Sequence, residues 1–140
     1  MEYNVNYNKV GAGIITISVL SIIGAIIFAL GSVILILSKD IVNETYASMG
    51  IPAIKQSDIM ILLISAILTI IFIALILAKK SIGVFGYFAT KAFYLVYTII
   101  STGFAIGEIT YLILPLLMLL FIVKKKHIYG FGNKNEDASI

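Results

Sequence analysis

From Val10 to Leu37 the chain runs for 28 residues without a single charged side chain, and no other feature constrains the fold as much. A helix of that length extends about 42 Å, enough to cross the roughly 30 Å hydrocarbon layer of a bilayer with some tilt. In water such a run would have to be buried on every side, and a chain of 140 residues has too little other material to bury it. The rest of the sequence repeats the problem. Ile59 to Ala78 is a second uncharged run, of 20 residues, closed by Lys79 and Lys80. A third segment opens near Gly83, passes through Lys91 and ends between Ser101 and Gly107, and a fourth stops sharply at Lys124.

The composition agrees: 61% of residues are hydrophobic, 12% are charged, and the mean hydropathy is +1.10. The expected fold is an all-α membrane protein, a bundle of four transmembrane helices arranged as two hairpins. It forms one integral membrane domain over residues 1–140. Its helices lie near 10–37, 59–78, 83–101 and 104–123, with an outer loop at 38–58 and a tail at 124–140. Ser57 and Asp58 are placed to cap the second helix. The start of the fourth depends on the turn. A turn at Thr102-Gly103 leaves 20 residues from Phe104 to Val123, whereas one at Gly107-Glu108 leaves 15, which reach only about 22 Å, so the earlier turn is expected. Pro115 then falls inside the helix and should kink it. In the loop, Ile41, Val42, Tyr46 and Met49 share one side of a short amphipathic helix that Gly50 and Pro52 would end, an alternative to an ordinary ordered loop.

All ten basic residues are lysines. With the N-terminus inside, Lys9, Lys79, Lys80, Lys124, Lys125, Lys126 and Lys134 lie on the cytoplasmic side, and Lys39 and Lys55 on the other. Seven against two places both termini in the cytoplasm. Exclusive use of lysine, with abundant Ile, Asn and Tyr, points to an AT-rich bacterial genome and so to a multi-pass protein of the cytoplasmic membrane. The formal charge of +3 is explained by this asymmetry, and no nucleic-acid module is visible.

On the third helix Tyr87, Thr90, Lys91, Tyr94, Tyr97, Thr98 and Ser101 recur at helical spacing and share one face. Hydroxyls and an ammonium turned to lipid would be left unpaired, so this face should look toward other helices or a small wet cavity. As a site it is a polar groove, with Glu108 the acid nearest to it. As packing it is interhelical hydrogen bonding, with the Lys91 stem snorkelling toward the cytoplasm. A direct Lys91–Glu108 pair would need both side chains fully extended. Along the first helix Ser21, Gly24, Ala25 and Gly31, with Ser18 and Ser32, form a small-residue seam that lets another backbone approach. Lys124, Lys125 and Lys126 form a stop-transfer cluster suited to anionic lipid headgroups. His127 reads as a solvated residue, Tyr129 and Phe131 as interfacial anchors, and Gly132 to Ile140 as a disordered end. A lysine followed closely by two glycines opens both the first and the third segment, but the two otherwise differ in polarity and are not read as a repeat.

There is no cysteine, which removes disulfide exchange, thiolate nucleophiles and thiolate metal sites. Nucleophile–base pairs, paired carboxylates and metal clusters at bilayer depth are also missing from the sequence, so neither an enzyme nor a cofactor is expected. Small multidrug transporters are similar in size but carry an essential acid in the first helix, which here is uncharged. The expected role is that of a non-enzymatic component that associates with itself or with a larger membrane protein, its partners being lipids and protein. The alternative is a small oligomeric channel or transporter using the third-helix face, and a third reading is a holin-like or stress-response protein.

Overall fold

The computed structural model describes residues 9–131, and among them every regular element is helical. In chain order these are α1 (Ala12–Leu37), α2 (Lys39–Ser48), α3 (Gln56–Leu77), α4 (Ser81–Thr102), α5 (Ile106–Lys124) and a short 3-10 turn at Lys126–Tyr129. Four of them, α1, α3, α4 and α5, are long and apolar enough to cross a membrane. They run alternately up and down. One end of the bundle therefore gathers Lys9, Lys79, Lys80 and Lys124, and the other gathers α2 and the α4–α5 turn; these are called the lysine end and the loop end below. Large apolar side chains cover the outside, among them Leu37 at 82% and Ile100 at 79% exposed. Water would not tolerate such a continuous surface, whereas hydrocarbon would.

The element boundaries follow local chemistry. Gly103, at φ +82, ends α4, and α5 resumes at Ile106, so the turn is the earlier of the two considered. The glycine adopts a left-handed backbone that costs a residue with a Cβ about 1 kcal/mol or more. At the end of α3 that cost is borne by Lys79, at φ +60. There the Lys80 amide donates to the Leu75 carbonyl and the Lys79 amide to Ile76, the paired bonds of a Schellman cap. α2 is the amphipathic helix considered for the loop, stopped by Gly50 at φ +71. The Ile54 amide donates to Asn43 Oδ1 at 3.0 Å and Lys39 Nζ to Gln56 Oε1 at 3.3 Å, tying α2 to the start of α3.

One expected detail fails at that start. α3 begins at Gln56 after an extended Lys55, and no side chain caps it. Asp58 lies inside the first turn, where its charge suits the helix dipole, but its Oδ1 accepts a hydrogen bond from Tyr97 OH on α4. A partner on the neighbouring helix has replaced the local cap.

Packing departs from two equal hairpins. α3 is the hub, lying against both α1 and α4, while α5 rests on α1 and barely touches α4. The second hairpin exists in connectivity but is splayed. The reason is visible at the glycines. A Cβ on Gly83 would lie 2.6 Å from the Ile76 amide nitrogen, and one on Gly86 would collide with the Phe72 ring, so α4 is drawn onto the last turns of α3. A Cβ on Gly13 would lie 2.5 Å from the Phe121 ring, so α5 is drawn onto the start of α1.

All three contacts lie in the lysine half, as does the main buried cluster. Ile14 and Ile17 of α1, Ile73 and Ile76 of α3, Val84 and Tyr87 of α4, and Met118 and Ile122 of α5 form one buried cluster. Tyr129 completes it. Expected at the membrane surface, it instead folds back beneath the bundle, 4% exposed, and donates from its hydroxyl to the Ile76 carbonyl at 3.2 Å. Burial pushes that hydroxyl's pKa up to about 12. Phe131 stacks beside it and meets Phe85 edge-on at 5.4 Å. Lys134 and the expected disordered end at 132–140 lie outside the described residues.

Candidate functional site: the polar face of α4

The polar stripe of α4 is divided between two cavities. Toward the loop end, Tyr97, Thr98 and Ser101 line a space of about 190 Å³ together with Asp58 of α3. Nearer the middle, Tyr87 and Lys91 line a larger one of about 400 Å³, and Tyr94 borders both. Thr90 and Thr98 contribute less than their positions implied. Their hydroxyls donate to carbonyls of their own helix, Gly86 at 2.8 Å and Tyr94 at 2.9 Å, as threonines in apolar helices commonly do. Tyr97 is the exception, donating to Asp58 Oδ1 at 2.5 Å and fastening α4 to α3 near the loop end.

The larger cavity exists because α5 is splayed. Its walls are Ser21, Gly24 and Ala25 of α1, Leu62 and Thr69 of α3, the α4 residues above, and Glu108, Tyr111 and Pro115 of α5. Lys91 holds its ammonium 5.0 Å from the centre of the Tyr111 ring and 5.7 Å from that of Tyr87. Ring faces attract a cation, by about 0.5–2 kcal/mol depending on how dry the site is. The snorkelling conformation is thus not the one found, since the ammonium stays among aromatic rings beside the cavity. Tyr94 leans on Tyr111, ring centres 5.2 Å apart, and these two rings bridge α4 and α5.

Glu108 lines the same cavity but does not act as the counterion. It sits in the first turn of α5 at the loop end, while Lys91 lies halfway along α4. At 1.5 Å per residue their backbones are more than about 10 Å apart along the bundle axis. Deeper in, Tyr87 is fully buried and Ser21 nearly so, and their hydroxyls lie near each other without a hydrogen bond of ordinary geometry. Ser18, one turn further toward the lysine end, is left in the same condition. A buried hydroxyl left without a partner costs roughly 1–3 kcal/mol, and those of Tyr87 and Ser21 stand on the lining of a cavity that also holds the Lys91 ammonium.

The small-residue seam of α1 is divided between packing, where Ser18 and Ser32 are fully buried, and this cavity. Ser21 and Ala25 are buried, and Gly24 lines the open space. A Cβ on Gly24 or Gly31 would meet nothing within 4 Å. The glycines that admit a neighbouring helix are Gly13, Gly83 and Gly86, which the seam did not include. Their signal was the lysine-glycine-glycine opening shared by the first and third segments. The lysine cluster occupies the end of α5: Lys124 is exposed with its ammonium 5.9 Å from the Phe121 ring, and the Lys125 stem passes beside Gly11.

Among the described residues no group of three His, Cys, Asp or Glu is arranged to hold a metal. No family model, curated protein or solved structure matches the chain. The chemistry of the arrangement is that of a receptacle: aromatic and aliphatic walls, one cation, one distant carboxylate and several idle hydroxyls.

Proposed function

We propose that the chain is a multi-pass protein of a bacterial cytoplasmic membrane, with both termini in the cytoplasm. In this reading it has no catalysis of its own. It is a binding subunit, holding a small ligand in the cavity beside α4 and working in association with itself or with a larger membrane protein. The observation that carries the reading is the one-ended cavity: its polar wall stops at Tyr87, where the packed core of the lysine half begins. The lysine asymmetry supports the orientation, with the cavity then reached from the non-cytoplasmic half. An open face at Gly31, where a Cβ would meet nothing within 4 Å among the described residues, favours a protein neighbour against α1.

The runner-up, a small channel or transporter using the same face, requires the Ile14, Ile73 and Met118 layer to open, since packed apolar side chains fill the interior there. Three measurements test the proposal. Reporters fused after Ile140 and within 49–55 should read cytoplasmic and external respectively. Crosslinking in native membranes should trap the chain with a second copy or another membrane protein, and a chain remaining a lone monomer would remove the association. Liposomes carrying the protein should pass no ions or solutes, and flux abolished by Lys91→Leu would replace the binding reading with the transport one.

A further inference from the structure

The larger cavity is chemically lopsided. Around its deep wall stand the Lys91 ammonium and the hydroxyls of Tyr87 and Ser21, all able to donate, and no carboxylate lies among them. The single carboxylate on its lining, Glu108, stands at the loop end. Between the two lie Tyr94, Tyr111, Leu62 and Leu114, an aromatic and aliphatic sleeve. A cation withdrawn from water without a counter-charge is costly, and ring faces replace only part of what solvent gave it. An acceptor bearing one negative charge would neutralise the ammonium and give the idle hydroxyls a partner. A second negative charge would find no second cation and would have to pass Glu108.

We propose that this cavity binds a small organic monoanion with an apolar body, a hydrophobic carboxylate, whose charged group is set against Lys91, Tyr87 and Ser21 while its body lies along Tyr94, Tyr111 and Leu62. The inference rests on the reading of the chain as a binding subunit and adds the class of ligand. The volume, about 400 Å³, lies within the roughly 300–1,000 Å³ span of small-molecule sites. Lysine suits the task because its ammonium is a compact point charge that adapts to one carboxylate without demanding bidentate geometry. Glu108 then acts as a selector, leaving the path open to neutral and singly charged apolar molecules and opposing those with more negative charge.

The test uses the full chain in phosphatidylcholine nanodiscs and a decanoate carrying a diazirine, compared with its methyl ester and the matching decyl amine. Labelled residues are read by mass spectrometry, with unlabelled decanoate as competitor. The acid should label Tyr94, Tyr111 and Leu62 at least about tenfold more than the ester or the amine, the ratio that one charge-assisted hydrogen bond supplies. Lys91→Leu should bring the acid down to the ester's level, and Lys91→Arg should keep most of the preference. Glu108→Gln, away from the deep wall, should raise acid labelling several-fold and leave the ester unchanged. Equal labelling of the cavity by acid and ester, a preference for the amine, or an acid preference that survives Lys91→Leu overturns the anion assignment while a binding cavity still stands. Labelling by all three probes confined to the outer faces, at residues such as Ile100 and Phe93, overturns the cavity reading as well.

Discussion

The two halves of this bundle use the same four helices and solve opposite problems. In the lysine half, Gly13, Gly83 and Gly86 let the helices close, and Ile14, Ile73, Ile76, Met118 and Ile122 fill the interior. In the loop half α5 parts from α4, and tyrosines, serines and Lys91 border empty space. Between membrane helices the hydrophobic effect gives little drive, so association depends on close packing and interhelical hydrogen bonds. The lysine half has the first among all four helices; in the loop half Ile59 and Ser32 are buried, but α4 is fastened by bonds such as Tyr97 to Asp58. Rigidity is therefore concentrated where no ligand could fit, leaving the other half free to be polar and hollow.

That contrast can be broken most forcefully at Gly83. Gly83→Leu drives a side chain into the α3 backbone at Ile76 and should destabilise the fold by about 3 kcal/mol or more, read by unfolding in mixed detergent. Gly31→Leu, facing open space, should leave the isolated chain within about 0.5 kcal/mol of the parent. If both variants behave alike, the halves are not packed differently.

Next in size is the removal of matched side chains. Met118→Ala empties a fully buried site and should cost about 2–4 kcal/mol, whereas Leu62→Ala, already beside a cavity, should cost less than about 1. Equal losses would mean that the loop half is as well filled as the other.

A pH series sharpens the comparison at Tyr129. Its folded pKa, about 12, lies above the ordinary tyrosine value, so the folded state holds the proton more tightly than the unfolded one. The stabilisation from its buried hydroxyl is present in full below about pH 10 and is lost as pH rises from there toward 12. Tyr129→Phe should lose about 1 kcal/mol at neutral pH and remove that part of the alkaline decline. An alkaline profile identical to the parent's would contradict the burial. The smallest change is Lys79→Gly, which relieves a left-handed backbone and should gain about 0.5–1 kcal/mol in the lysine half alone.

Much of this architecture was legible from the residues. Uncharged runs and flanking lysines located four helices to within a few positions, because each run needs about 20 residues to span hydrocarbon. Length arithmetic placed the α4–α5 turn at Gly103. The α4 stripe was legible as a face, since helical spacing alone fixes which side chains align. Its division was not: spacing says nothing of how far α5 stands from α4, and that distance decides whether Lys91 meets a helix, a carboxylate or a cavity. Asp58 was misread for a similar reason, a local cap being assigned where Tyr97 arrives from another helix. Tyr129 looked like an anchor because aromatic residues after a lysine cluster usually are.

The place of Tyr129 also bears on how the protein is made. The packed half is assembled from residues as early as Ile14 and is finished by one that follows the last helix. Until that residue has emerged from the ribosome, the interior shared by the four helices lacks its floor. Closure of the packed half thus depends on a residue outside the helices it closes, and a chain cut after Lys124 would keep its four helices but lose the latch.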